Sequence, residues 1–389
     1  MNENTLEKLK KEQTPLYYYD LPLLKETVEV AKNSADRFDY TIHYAIKANN
    51  NPKILKEISS LGLGADCVSG KEIELAIENG FDSHSIVFAG VGKTDREISI
   101  ALQNNILAFN VESVQELEVI ASIAESLSTK ACIALRINPN VDAKTHHYIT
   151  TGLDENKFGI MMHELDNCLA IIKNSTSLEL VGLHFHVGSQ ITDLNVYKRL
   201  CIKVNEWNNY FYERGYNVPI LNLGGGLGIN YCEPDEESIV NFSNFFYLFH
   251  QFLELREGQK VHFELGRSLV ANCGTLVSRV LYIKNGIKKN FAILDAGMTE
   301  LLRPALYQAY HKVEKWEAGN IAEETNESNN IRYDIVGPIC ESSDCFGKDV
   351  ILPKLERGDL IAIRSAGAYG EVMASRYNLR QELNYFYKE

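Results

Sequence analysis

Lys47 stands at the end of a strand-like stretch, YTIHYAIKANN (Tyr40–Asn50), whose first half alternates β-formers. A lysine at the carboxyl end of a buried strand is costly unless it has a partner or a task. Two readings stay open on this residue alone. It is either a lysine at the surface end of a strand or an amine that bonds covalently to a carbonyl cofactor.

Other residues add chemistry. Gly224, Gly225 and Gly226 follow the run PILNL. Backbone free of side chains either makes a turn or gathers N–H groups around an anion such as phosphate. His184 and His186 lie two apart in HFHVGSQ, on one face of a strand. The spacing suits a metal pair, but no third ligand is placed beside it, so no metal is expected. A flat imidazole stacked on an aromatic ring is preferred, with His184 read as a core histidine. Glu264, in HFELGR, either pairs with Arg267 or holds a pyridine nitrogen in its protonated state, the electron sink that decarboxylation needs.

Three further stretches carry candidates. LRPALYQAYH holds Arg303, Tyr307 and Tyr310, and the arginine fork suits a carboxylate. GPICESSD holds Cys340, Glu341 and Asp344. Acidic neighbours keep a thiol protonated, so Cys340 is either a proton donor or an ordinary buried spectator. RSAGAYGEVMAS sets Tyr369 among small residues, where its ring is presented to a ligand.

The elements that must position these groups alternate. Eight strand-like runs, YTIHYAI, LGADCV, IVFAG, ILAFN, ACIALRI, LVGLHFHV, PILNLG and KVHFEL, are separated by amphipathic stretches such as Lys71–Asn79 and Val114–Ser126. This predicts an α/β fold, a (β/α)8 TIM-like barrel over 25–273, against the rival of a doubly wound sheet. Lys47, Asp66, Gly90, Asn110, Arg136, His186, the glycine triplet and Glu264 all fall at the carboxyl ends of these runs, the face where such barrels place their sites. From 274 the texture changes to strands joined by turns. Residues 1–24 and 274–389 are therefore read as an all-β domain, with Glu314–Asn330 an exposed loop.

The chain has 389 residues, with 39 Lys+Arg against 52 Asp+Glu. The resulting net charge of −13 excludes nucleic acid and anionic membrane as expected partners. No apolar run is long enough to span a bilayer, the amino terminus is polar, and the eight cysteines form no CxxC pair. A cytoplasmic protein with reduced thiols is expected.

With these motifs in place, the chain resembles the fold-type III pyridoxal-phosphate-dependent decarboxylases, and within them the diaminopimelate decarboxylases. YAIKAN, HFHVGSQ and GGGLG carry the wider likeness, LRPALY and CESSD the narrower one. The resemblance implies pyridoxal 5'-phosphate as cofactor, with Lys47 its covalent anchor, His186 stacked on its ring and Glu264 on its nitrogen. It implies Gly225, Gly226, Leu265, Gly266 and Arg267 around the phosphate. Arg267, Arg303, Tyr307 and Glu341 would bind an amino-acid substrate, Tyr369 would touch both cofactor and substrate, and Cys340 would donate a proton. It further implies a homodimer with shared active sites, in which Cys340 and Glu341 come from the second chain. The expected activity is decarboxylation of meso-2,6-diaminopimelate to L-lysine. The alternatives are another basic amino acid, carboxynorspermidine, or a non-catalytic regulatory paralogue. The relatives usually have proline where Leu265 stands, and their tails differ from LRQELNYFYKE, to which no role is given.

Overall fold

The computed structural model describes residues 3–139, 157–316, 330–380 and 382–389. Two compact units make up the chain. One comprises Met1–Lys25, Ile229–Val240 and Val270–Glu389, and the other Glu26–Gly228 and Asn241–Leu269. The segment Ile229–Val240, inside the range read as barrel, thus belongs with the β unit.

Strand β1 (Leu16–Asp20) precedes eight parallel strands: β2 (Tyr40–Ala45), β3 (Gly64–Cys67), β4 (Ile86–Phe88), β5 (Ala108–Val111), β6 (Ala131–Arg136), β7 (Leu178–His184), β8 (Ile220–Asn222) and β9 (Lys260–Leu265). These close into a barrel in sequence order, with β9 pairing back on β2 and His43 opposite Glu264. All eight correspond to the runs read from sequence. The helices between them start where the sequence supplies caps. Ser69 and Ser113 accept backbone N–H groups three residues on, and Thr94 forms a reciprocal capping box with Glu97. Helix Phe242–Phe252 turns Phe245, Phe246 and Phe249 onto Phe263 of β9. Each such burial contributes about 1.5–3 kcal/mol.

The β unit adds β10 (Gly274–Asn285), β11 (Asn290–Leu294), β12 (Val313–Trp316), β13 (Asn330–Val336), β14 (Cys345–Pro353), β15 (Leu360–Ile363) and β16 (Asn384–Lys388). Their order is β12-β15-β10-β11-β13-β14, with β1 lying between β10 and β16. Three of these depart from the sequence reading. Val313–Trp316 is a strand on β15, so the expected loop does not begin at Glu314. Asn330 opens β13, and the 317–329 part of that loop lies outside the described residues. The tail is β16, parallel to β1. At the other end, helix Glu3–Leu9 buries Leu6 and Leu9 against Leu16, Tyr18, Val277 and Leu360. Among the described residues no helix is long and apolar enough to cross a membrane.

Candidate active site

Lys47 sits in a single 3-10 turn, Ile46–Ala48, directly after β2. The turn is fixed from both sides. The Tyr44 hydroxyl donates to the Asn49 carbonyl at 2.8 Å, and Asn49 Oδ1 accepts the Asn51 N–H at 2.9 Å. Asn51 then caps the next helix, with Pro52 at its first position, where the missing N–H costs nothing. Lys47 Nζ lies 2.6 Å from Asp66 Oδ2 on β3, and Asp66 is fully buried. Burial pushes the Asp66 carboxyl up, with Lys47 opposing it. Glu72, nearby, is pushed up to about 7 by burial.

Glu264 on β9 is the focus of the barrel mouth. Asn110 of β5 and Asn222 of β8 donate side-chain N–H groups to its Oε1, at 2.9 and 2.7 Å. His184 of β7 donates from Nε2 to Oε2 at 3.0 Å. Burial works against a charge here, but the His184 contact and the Lys47 charge outweigh it and hold Glu264 well below the usual carboxylate range. Glu264 is therefore the partner of three neutral-capable donors from three strands, rather than of Arg267. Arg267 donates instead to Ser189 Oγ at 3.0 Å.

His186 follows β7, and its Nδ1 accepts the Gly225 N–H at 3.4 Å. Burial first and the Arg136 charge second push this imidazole down, so it stays neutral. Arg136 is itself held by Glu112 Oε1 at 2.6 Å, and Glu112 also accepts the N–H groups of Gly90 and Gly159. The glycine triplet is required by close approach. A Cβ on Gly224, Gly225 or Gly226 would strike the carbonyl of Phe185, Glu264 or Gly188, and Gly224 and Gly226 take left-handed φ of 66° and 99°. Leu265 is fully buried as the last residue of β9, and a Cβ on Gly266 would lie 2.9 Å from that of Ala48.

In the β unit, Arg303 opens helix Arg303–Tyr307 and is buried, with Nη1 2.7 Å from His311 Nε2. Cys340 is exposed, which removes the reading of a buried spectator. Glu341 Oε1 accepts the Tyr377 hydroxyl at 3.0 Å. Asp344 organises this turn, accepting the N–H groups of Met298 at 2.6 Å and Ile339 at 2.7 Å. Tyr369 is half-buried at φ 56°, a left-handed backbone that costs a bulky residue about 1–3 kcal/mol and clusters at functional sites. The AGAYG turn around it is tight: a Cβ on Gly370 would meet the Ala366 carbonyl and the Tyr17 hydroxyl. Within the barrel unit, then, Lys47, His186, Gly225, Gly226 and Glu264 share the strand-end face. Arg303, Tyr307, Cys340, Glu341 and Tyr369 all lie in the β unit.

Sequence reasoning missed Asn222, Glu112, Asp344 as an organiser, and the pairing of His184 with Glu264. His184 was expected to be a satisfied core histidine. It is buried, but its Nδ1 has no hydrogen-bond partner among the described residues, as is true of Asn110 Oδ1 and Asp66 Oδ1. Buried polar atoms of this kind, beside a side-chain-free glycine cradle, suit a polar ring with an attached anion.

The site and fold define a pyridoxal-dependent decarboxylase. Residues 23–271 match the pyridoxal binding domain of the pyridoxal-dependent decarboxylases, and the chain belongs to that family. Its cofactor is pyridoxal 5'-phosphate. The chain is 52% identical over 377 residues to the diaminopimelate decarboxylase of Bacteroides thetaiotaomicron, covering 97% of this chain and 96% of that protein. Against the diaminopimelate decarboxylase of Aquifex aeolicus it is 42% identical, covering 94% and 84%. The crystal structure of the Helicobacter pylori diaminopimelate decarboxylase complexed with L-lysine superposes with a TM-score of 0.91 at 41% identity, covering 99% of this chain and 94% of that one.

Proposed function

We infer that this chain decarboxylates meso-2,6-diaminopimelate to L-lysine and carbon dioxide, the last step of lysine biosynthesis. Near-full-length identity to diaminopimelate decarboxylases supports the activity. The observation on the molecule that carries it is Glu264, ionised at the barrel mouth and gripped by donors from β5, β7 and β8. When bound, pyridoxal phosphate supplies the electron sink for the pair left by the departing carboxylate.

The residues have these roles in our reading. Lys47 would hold the cofactor covalently, with Asp66 Oδ2 2.6 Å from its Nζ. Glu264, held ionised, would keep the cofactor's ring nitrogen protonated. Neutral His186 would stack on the cofactor ring. Gly225, Gly226 and the Leu265–Gly266–Arg267 turn surround the phosphate, where backbone N–H groups and a guanidinium neutralise it. Arg267 and Arg303 hold substrate carboxylates, with Tyr307 and Tyr369 beside them, and Glu341 faces the distal amine. Cys340 gives its Sγ proton to the α-carbon after carbon dioxide leaves. Cys340 and Glu341 come from a second copy of the chain in a two-fold, cytoplasmic dimer. The test is to incubate protein and pyridoxal phosphate with meso-diaminopimelate and measure lysine. Absence of lysine, with lysine or ornithine decarboxylated instead, overturns the reading.

A further inference from the structure

His311 is fully buried, eight residues beyond Arg303, and the left-handed turn at Gln308 (φ 53°) brings the two side chains together. Arg303 Nη1 lies 2.7 Å from His311 Nε2, and His311 Nδ1 lies 2.8 Å from the backbone carbonyl of Arg364. These two distances determine where the ring proton is. A guanidinium can only donate, so Nε2 must offer its lone pair. The single N–H of a neutral imidazole is then on Nδ1, where the Arg364 carbonyl accepts it. Arg364 is held in place in turn, its N–H donating to the Lys312 carbonyl at 2.9 Å across the β12–β15 ladder. The Tyr231 ring closes the arrangement, 4.8 Å from the Arg303 guanidinium carbon and edge-on to His311 at 5.1 Å.

We propose that His311 is a positioning residue for Arg303: as the neutral Nδ1–H tautomer it pins one guanidinium nitrogen, so that Arg303 presents the rest of its fork to the substrate carboxylate in a single orientation. The proposal rests on Arg303 being a substrate-carboxylate ligand, as read above. One bond uses one of five N–H groups, and the Tyr231 face fixes the plane of the fork. The same arrangement makes carboxylate binding sensitive to acid. A protonated His311 turns an N–H toward the guanidinium and pushes it away. The charged groups around it are Arg303 itself, Arg364 with its partners Asp235 and Glu314, and Lys312 with Glu233.

The experiment compares wild type with His311→Ala, His311→Gln and Arg303→Gln. The glutamine amide offers an acceptor oxygen and a donor nitrogen on one edge, as the Nδ1–H tautomer does, but does not titrate. His311→Ala is expected to raise KM for diaminopimelate about tenfold or more, the scale of one lost hydrogen bond to a charge. It should weaken inhibition by L-lysine in parallel, since the product keeps the distal carboxylate and has lost only the one at the reacting carbon, and leave inhibition by 1,5-diaminopentane, which has neither carboxylate, unchanged. His311→Gln should recover most of the wild-type KM and lose the acid-side rise in KM. Nitrogen NMR of the wild-type protein should show the proton of His311 on Nδ1 at neutral pH. If Arg303→Gln raises KM while His311→Ala does not, the inference fails and the role of Arg303 stands. If Arg303→Gln leaves KM unchanged, the role of Arg303 itself is wrong. Should His311→Ala not fold, the glutamine variant and the NMR tautomer decide, and a proton on Nε2 at neutral pH overturns the proposal.

Discussion

The Asn222 side-chain amide is 2.7 Å from Oε1 of Glu264, across the ladder that joins β8 to β9. The same side chain accepts the Gly224 N–H on its Oδ1 at 3.0 Å. One asparagine therefore ties the carboxylate proposed for the ring nitrogen to the glycine turn proposed for the phosphate. Replacing Asn222 by Ala should lower kcat about tenfold and weaken cofactor binding together, because a hydrogen bond to a charged group contributes about 1.5–3 kcal/mol. Cofactor affinity measured by fluorescence, unchanged beside a reduced kcat, would separate the two roles and refute the link.

Lys47→Ala should abolish the visible absorbance of the bound cofactor and nearly all turnover. A variant with the wild-type spectrum would show that another amine anchors the group.

Glu264→Gln should preserve the fold and reduce turnover by about two orders of magnitude or more, on the scale of one lost preorganised electrostatic partner. It should also flatten the acid side of the stability profile. The Glu264 carboxyl is held below its unfolded value, so its contribution is present above about pH 4.3 and is lost as pH falls through the depressed pKa. Melting temperatures of wild type and variant between neutral and acid pH check this, and parallel curves would count against it.

Arg303→Lys keeps the charge and loses the fork. KM for diaminopimelate should rise about tenfold or more, and inhibition by L-lysine, which keeps the distal carboxylate, should weaken in parallel. Unchanged lysine inhibition beside a raised KM would mean that Arg303 faces the carboxylate that leaves rather than the distal one.

Mixing Lys47→Ala with Cys340→Ala tests the shared site. Denatured together and refolded with cofactor, half the dimers are mixed, and each has one intact site if the site is composite. Activity should return to about a quarter of wild type. Verified mixed dimers without recovery would show that each site is built within one chain.

The barrel was legible because its strands are buried on both faces and read as apolar runs ended by polar residues. Lys47, Glu264, His186 and the glycine triplet were visible as residue types at those ends. The grip on Glu264 was not, since Asn110, His184 and Asn222 lie 154, 80 and 42 residues away and meet only through barrel register. Glu112 and His311 were hidden for the same reason. In the β unit, Cys345–Pro353 escaped notice because glycine, lysine and aspartate interrupt its alternation. The helix Glu3–Leu9 reads as polar because its two leucines, both buried, are its only apolar residues.

Strand β16 runs parallel to β1, Leu16 beside Asn384 and Asp20 beside Lys388, with Lys388 Nζ 2.6 Å from Asp20 Oδ2. β1 is LYYYD, an aromatic stretch whose other side is already taken by β10. Cutting the chain before Asn384 would leave its row of N–H and C=O groups as an open edge, a template for another chain's strand. Among the described residues β16 pairs only with β1, so it moves the edge outward to NYFYK rather than closing it; a protein cut before Asn384 is expected to scatter more light on refolding than the full chain, and equal scattering would show that either edge is tolerated.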